Sequence, residues 1–205
     1  MPEHHPSVVL GADPLFQPFT GIGNYTRSLA SNLLVLQLVE GLTLYANGVV
    51  LSGDTVAALI DSSIESTPAQ SVQRGNTSTA RLLSQARAYL ASKGWAIRAY
   101  EALMPMVDRA RLHAYRDHVF HSPNYLLPTF EGPTVVTIHD LSIQRYPEYH
   151  PPERVRLLDA RIAEAAADAT HIITDSNCVR TEIIEHFGLD DARVTAIPLA
   201  AGEQF

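Results

Sequence analysis

Short apolar runs recur along the chain, each bounded by polar or turn-forming residues: Val8-Val9-Leu10, Leu42-Thr43-Leu44-Tyr45, Val135-Val136-Thr137-Ile138, Ile172-Ile173 and Val194 to Ile197. The runs are nearly continuous and do not alternate with polar positions, which is the pattern of strands buried on both faces. Between them, apolar residues return every three or four positions, the period of a helix with one buried side. One such stretch starts near Gly23 and sets Ile22, Leu29, Leu33 and Leu36 on one face. A second follows Pro151-Pro152, a favoured helix start, with Glu153 in the first turn and Val155, Leu158, Ile162, Ala165 and Ala169 along one side. A third opens at Ser176, carries Val179, Ile183 and Phe187, and stops at Gly188. Strands alternating with helices need right-handed crossovers, so the pattern predicts an α/β fold with a doubly wound, mainly parallel sheet. No internal repeat interrupts it, and Ser62 to Thr79, rich in Ser, Thr, Gln and Asn, reads as a loop or an irregular strand.

Composition narrows the class. In 205 residues, 46% are hydrophobic and the net charge is only −7, enough apolar surface for one large domain or two small ones and too little charge density for a disordered chain. Fifteen basic against 22 acidic residues give no general attraction to phosphate backbones, so nucleic acid is not an expected partner. The single cysteine, Cys178, excludes a disulfide framework and a cysteine zinc cage, which suits a reducing compartment. The longest apolar run, Leu33 to Val39, is broken by Gln37 and falls short of the roughly 18 residues a spanning helix needs. Met1-Pro2-Glu3-His4-His5-Pro6 lacks the cationic start and apolar stretch of a secretory signal, so a cytoplasmic location is expected. His4 and His5, beside prolines at a terminus, read as solvated.

Residues 81 to 117 stand apart as locally cationic: Arg81, Arg87, Lys93, Arg98, Arg109, Arg111 and Arg116 face only Glu101, Asp108 and Asp117. Leu82, Leu83, Tyr89, Leu90, Trp95, Ile97, Tyr100, Leu103 and Met104 interleave with these charges. Two readings stand side by side. The segment is a peripheral contact for anionic lipid headgroups, at the inner face of a membrane, or an ordinary helix with solvated arginines on its outer side.

In an open parallel sheet, ligands gather beyond the C-terminal strand ends, and four segments there carry candidate chemistry. After the first strand come Asp13 and then Thr20-Gly21-Ile22-Gly23-Asn24-Tyr25-Thr26, where glycines permit close backbone approach and helix-start amides attract a phosphate. The spacing is not that of a dinucleotide fingerprint, which places its glycines directly after the strand. His121-Ser122-Pro123-Asn124-Tyr125 follows a strand read as ending at Phe120. Thr137-Ile138-His139-Asp140 delivers a His-Asp pair from a buried strand; neighbours on an extended segment point opposite ways, so the two serve different substrates or simply end the strand. Asp175-Ser176-Asn177-Cys178-Val179-Arg180 places a capping Ser and an Arg where an anion or sugar hydroxyls could sit, with helix capping alone as the alternative. There is no nucleophile elbow, no phosphate loop ending in Gly-Lys-Ser or Gly-Lys-Thr, no His-Glu-x-x-His, and no Asp-x-Asp after a strand, so no metal is expected.

Taken in order, these segments resemble the N-terminal half of retaining glycosyltransferases of family 4, enzymes of the GT-B fold with two Rossmann-like domains across a cleft. The resemblance rests on Thr20-Gly21-Ile22-Gly23-Asn24-Tyr25, His121-Ser122-Pro123, Val135 to Ser142, Tyr146-Pro147-Glu148, Ile172 to Ser176 and Val194 to Leu199. Within the family it is most similar to bacterial mannosyl- or rhamnosyltransferases of O-antigen and other surface polysaccharides. The resemblance implies that residues 1–205 form an acceptor-binding Rossmann-like domain, with the nucleotide-sugar-binding C-terminal domain beyond Ala201-Gly202-Glu203-Gln204-Phe205. It assigns Gly21, Ile22, Gly23 and Asn24 to the donor diphosphate, and His139 and Asp140 to catalysis. Asp13, His121, Tyr125, Ser176 and Arg180 fall to the acceptor side. Family members commonly carry Arg at the position of Asn24, and Gly where Thr20 stands. The implied reaction moves a hexose from a nucleotide sugar, GDP-mannose or a related GDP-sugar, to a glycan or lipid-linked acceptor with retention. The leaving phosphate takes the acceptor's proton on the same face, and no further cofactor takes part. Two rival functions fit the same residues: a glycan or lipid-headgroup binding module without catalysis, and a GT-B-fold sugar-nucleotide epimerase or hydrolase.

Overall fold

Residues 5–16, 20–53, 55–57 and 94–200 are described by the computed structural model. The polar stretch from Ser62 to Thr79 and the cationic residues Arg81, Arg87 and Lys93 lie outside them. The architecture is α/β and Rossmann-like, with seven strands among the described residues. It divides into two compact units, Met1–His118 with Pro128–Glu131, and Val119–Leu127 with Gly132–Phe205.

In the first unit, β1 (Ser7–Gly11) pairs in parallel with β2 (Gly41–Ala46), and the crossover between them is α1 (Gly21–Val35). Val9, Leu10 and Leu44 are fully buried, as their uninterrupted apolar context demands. The helical face differs from the expected one. Gly23, Thr26 and Ala30 turn inward, where small side chains permit close packing, while Leu36, the residue that caps the helix end, is 60% exposed. A third strand, β3 (Val49–Leu51), returns antiparallel to β2 through Asn47-Gly48. Both turn residues have positive φ, 49° and 79°, the geometry of a primed two-residue hairpin that Asn-Gly favours. A Cβ at Gly48 would lie 3.1 Å from Val107 Cγ1, so the turn also needs glycine for space. Val107 belongs to α2 (Gly94–Leu112), which carries Asp108 and Leu112 on its buried side.

In the second unit, β4 (Val119–Ser122), β5 (Thr134–Thr137), β6 (His171–Thr174) and β7 (Val194–Ala196) lie side by side, all parallel. The chain runs from β5 through a short helix α3 (Ser142–Arg145) and α4 (Pro152–Asp168) to β6, and from β6 through α5 (Asn177–Phe187) to β7. Their core joins Val136, Ile138 and Ile172 of the strand segments to Leu158, Ile162, Ala165 and Ile183 of the helices, the periodic positions read from sequence. Pro152 opens α4 where its missing N–H costs nothing. At the other end the Arg193 guanidinium donates to the carbonyls of Ala166, Ala167 and Ala169 at 3.0, 3.2 and 2.6 Å, a cation at the negative helix terminus. β4 extends two residues beyond the expected Phe120 end, so His121 is inside the strand, not after it. Bonding along the parallel ladder to Val135 and Val136 accounts for the extension.

Candidate active site

At the C-terminal mouth of β1 and β2, the two strands are offset by 34 residues, and that offset carries two steps past the ladder to set Asp13 against Asn47. The Asn47 amide donates to Asp13 Oδ1 at 3.1 Å. Burial raises the Asp13 carboxyl above the usual carboxylate range, and the negative charge of Asp108 adds to the effect; the Asn47 amide and the residue's own amide oppose it. Burial raises Asp108 as well, against the pull of the Tyr45 hydroxyl, which donates to it, and the Thr129 amide.

The glycine segment opens α1 with Thr20 as its cap, the side-chain oxygen accepting from the Gly23 amide at 3.2 Å. Amides of the first turn have no partner inside the helix, so Gly21 and Ile22 lie at its positive end. The two glycines do different things. A Cβ at Gly21 would meet nothing within 4 Å, whereas one at Gly23 would come within 3.1 Å of the Pro14 carbonyl oxygen. Gly23 thus permits close packing and Gly21 leaves open space where a bulky ligand can approach. Asn24 is exposed, and its side-chain oxygen accepts from Arg27 at 2.7 Å.

In the second unit, the mouth of β5 and β6 holds the most developed constellation. Their register is offset by 36 residues, and two steps past the ladder it brings His139 to Asp175. His139 Nδ1 lies 2.7 Å from Asp175 Oδ2, each side chain being 20% exposed. Its Nε2 lies 3.1 Å from the Pro123 carbonyl oxygen. An imidazole gripped from both sides by acceptors has its ring orientation fixed. The Pro123 carbonyl is itself held by a tight loop, in which the Ser122 hydroxyl sits 2.6 Å from the Asn124 carbonyl oxygen and the Leu126 amide donates to Asn124 Oδ1 at 2.9 Å.

The other candidates fall around this centre. Asp140 does not pair with His139; its carboxylate accepts from the Ser142 amide at 2.8 Å and starts α3. Ser176 caps α5, accepting from Val179 at 3.2 Å. The Arg180 guanidinium donates to the Val194 carbonyl at 2.7 Å and reaches Asp191 Oδ1 at 2.6 Å, tying α5 to β7. His121 is buried, its Nε2 3.0 Å from Thr137 Oγ1, and burial lowers its pKa to about 4. Tyr125 packs on the core of this unit. Sequence reasoning missed Asp175 as the partner of His139, and the Pro123 carbonyl. What finds Asp175 is the 36-residue register of β5 against β6, which the local sequence does not give. Among the described residues, no group of three or more His, Cys, Asp or Glu is placed to hold a metal ion, and no helix is long and apolar enough to cross a membrane.

Comparison with known proteins gives two findings. The family model described as Glycosyltransferase Family 4 matches residues 78–201, which include His121, His139, Asp175 and Ser176 but not the glycine segment. The chain is also 32% identical over 200 residues to the "O-antigen chain mannosyltransferase B" of Escherichia coli, the match covering 97% of this chain and 48% of that relative. The chain therefore spans about half the length of the curated relative it matches. With more than half its residues inside the family model and the His139 segment among them, the chain belongs to glycosyltransferase family 4.

Proposed function

We propose that the protein carrying this chain transfers a hexose from a nucleotide sugar to a glycan or lipid-linked acceptor with retention, in the synthesis of a surface polysaccharide, and that this chain supplies the acceptor-binding half of the site. Membership of the family and the likeness to an O-antigen mannosyltransferase support transfer of mannose, which makes GDP-mannose the first donor to test. A second domain would bring the groups that bind the nucleotide. The observation that carries the reading is the His139 ring held between Asp175 and Pro123 at the mouth of β5 and β6. The Nε2 contact, at 3.1 Å, is the longer of the two, and a sugar hydroxyl could replace the carbonyl there while the 2.7 Å contact to Asp175 keeps the ring in place.

As the bond from the anomeric carbon to the leaving phosphate breaks, positive charge grows on the sugar and negative charge on the diphosphate. His139, a fixed hydrogen-bond donor, contacts the donor sugar near the reacting carbon, while the acceptor hydroxyl oxygen bonds to that carbon and gives its proton to the departing phosphate on the same face. Such fixed donors are each worth about 2.7 to 4 kcal/mol of barrier. Changing His139 to Ala in the intact protein is expected to lower transfer from GDP-mannose about a hundredfold or more. Turnover near wild type would remove His139 from the mechanism. Release of free mannose with no transfer to any offered acceptor would favour a hydrolase instead.

A peripheral contact with anionic lipid is part of the same proposal. On α2, Leu103, Met106 and Val107 are 58%, 70% and 37% exposed, and Arg109 and Arg111 flank them. An apolar stripe with basic neighbours is the composition of a helix lying in a headgroup layer.

A further inference from the structure

The segment after His139 ends in a feature that the transfer chemistry does not use. Tyr146 and Tyr149 are 52% and 79% exposed, unusual for two large aromatic rings side by side. Their centroids are 6.4 Å apart and their planes meet at 47°. A single 3-10 turn, Pro147–Tyr149, separates them, and side chains three apart on such a turn eclipse one another. Both rings therefore leave the backbone on the same side.

The turn is set without any ligand. Pro147 fixes its own φ, the Tyr146 amide donates to the Ser142 carbonyl at 2.9 Å, and the amides of Tyr149 and His150 donate to Tyr146 and Pro147 at 3.1 Å. A prearranged aromatic notch loses little freedom on binding. Its chemistry narrows the occupant. The turn holds an exposed acid, Glu148, and no lysine or arginine, while Arg145, next to Tyr146 in sequence, pairs with Glu182 on α5; the charge of the turn itself disfavours an anionic headgroup or phosphate. A pyranose fits. Its C–H face suits the negative face of an aromatic ring, and its hydroxyls can exchange hydrogen bonds with the tyrosine hydroxyls.

We propose that Tyr146 and Tyr149 form a saccharide subsite in which a pyranose of the acceptor chain lies against the two rings. The inference rests on the glycosyltransferase reading, because an acceptor glycan is the substrate it names. Mannotetraose titrated into the intact protein, with saturation-transfer NMR and calorimetry as readouts, is expected to bind. Tyr146→Ala and Tyr149→Ala should each weaken binding about fivefold and raise the acceptor KM to match, while Tyr149→Phe stays within about twofold. None of the three should alter hydrolysis of GDP-mannose by water, which needs no acceptor subsite. The proposal is overturned if mannotetraose fails to bind, or if alanine variants of unchanged circular dichroism bind it like wild type. A protein that neither transfers nor hydrolyses any sugar nucleotide would instead refute the reading beneath it, and the binding titration still decides the subsite.

Discussion

Burial of the His121 ring, bonded to Thr137 on the neighbouring strand, lowers its pKa from the usual 6.5 to about 4, and this links one side chain to the acid stability of the fold. Between those values the unfolded chain takes up a proton that the folded protein refuses. The neutral ring therefore contributes stability in full above pH 6.5, and that contribution is lost as the pH falls toward 4. The depression corresponds to about 3 kcal/mol. Urea unfolding at pH 7 and pH 4.5 should show a steep loss in the wild type and a shallower one in His121→Gln, which keeps a hydrogen-bonding group near Thr137. Equal losses in the two proteins would place the acid sensitivity elsewhere. The same residue shows where sequence reading stops. Within His121-Ser122-Pro123 it carries part of the resemblance read from sequence, yet whether a histidine lies in a strand or just beyond it depends on one or two further ladder bonds, which neighbouring strands supply and local sequence does not. His139 was legible because an apolar run ends at it. Its partner Asp175 was not, because the pair is made by the register of β5 against β6.

Helix ends were more legible than sheet edges. Ser176 and Gly188 bound α5 as expected, the glycine at φ 63°, because caps are local chemistry. β3 was missed although Asn47-Gly48 between apolar flanks is a strong hairpin signal; its three residues are too short for a periodic pattern to register. The two helix C-termini make a controlled comparison. After α1, the Gln37 amide donates to Leu34 and the Leu38 amide to Leu33, both at 3.1 Å, a Schellman motif with glutamine in the left-handed position at φ 51°. A non-glycine residue there is strained by about 1 to 2 kcal/mol, partly offset by the greater freedom glycine has when unfolded. Gln37→Gly should thus stabilise the protein by about 0.5 to 1 kcal/mol, and Gly188→Ala should destabilise it by about 1 kcal/mol. A Cβ at position 188 meets nothing within 4 Å, so the second effect is purely conformational. Chemical unfolding of the two variants should shift the midpoint in opposite directions; shifts of the same sign would mean that side-chain contacts, not φ, control these ends.

On the scale of the whole molecule, charge decides how a membrane contact can work. A net charge of −7 repels an anionic surface, while the exposed side of α2 offers apolar residues beside Arg109 and Arg111. Arg109 is paired with Glu131 at 2.9 Å, which leaves Arg111 the stronger contributor of the two, and each basic residue near such a surface adds about 1 kcal/mol. Salt acts on both terms, because the screening length shortens from about 30 Å at 0.01 M to about 10 Å at 0.1 M. Only insertion of Leu103 and Met106 is insensitive to it. Co-sedimentation of the intact protein with phosphatidylglycerol vesicles should therefore be strongest at low salt and fall to a residual level, without disappearing, as salt rises. Arg111→Glu should lower the salt-sensitive part and Met106→Ser the residual part. If no protein sediments even at low salt, the exposed stripe on α2 is not a lipid contact; if binding vanishes completely with salt, the apolar residues do not enter the bilayer and arginine alone holds the surface.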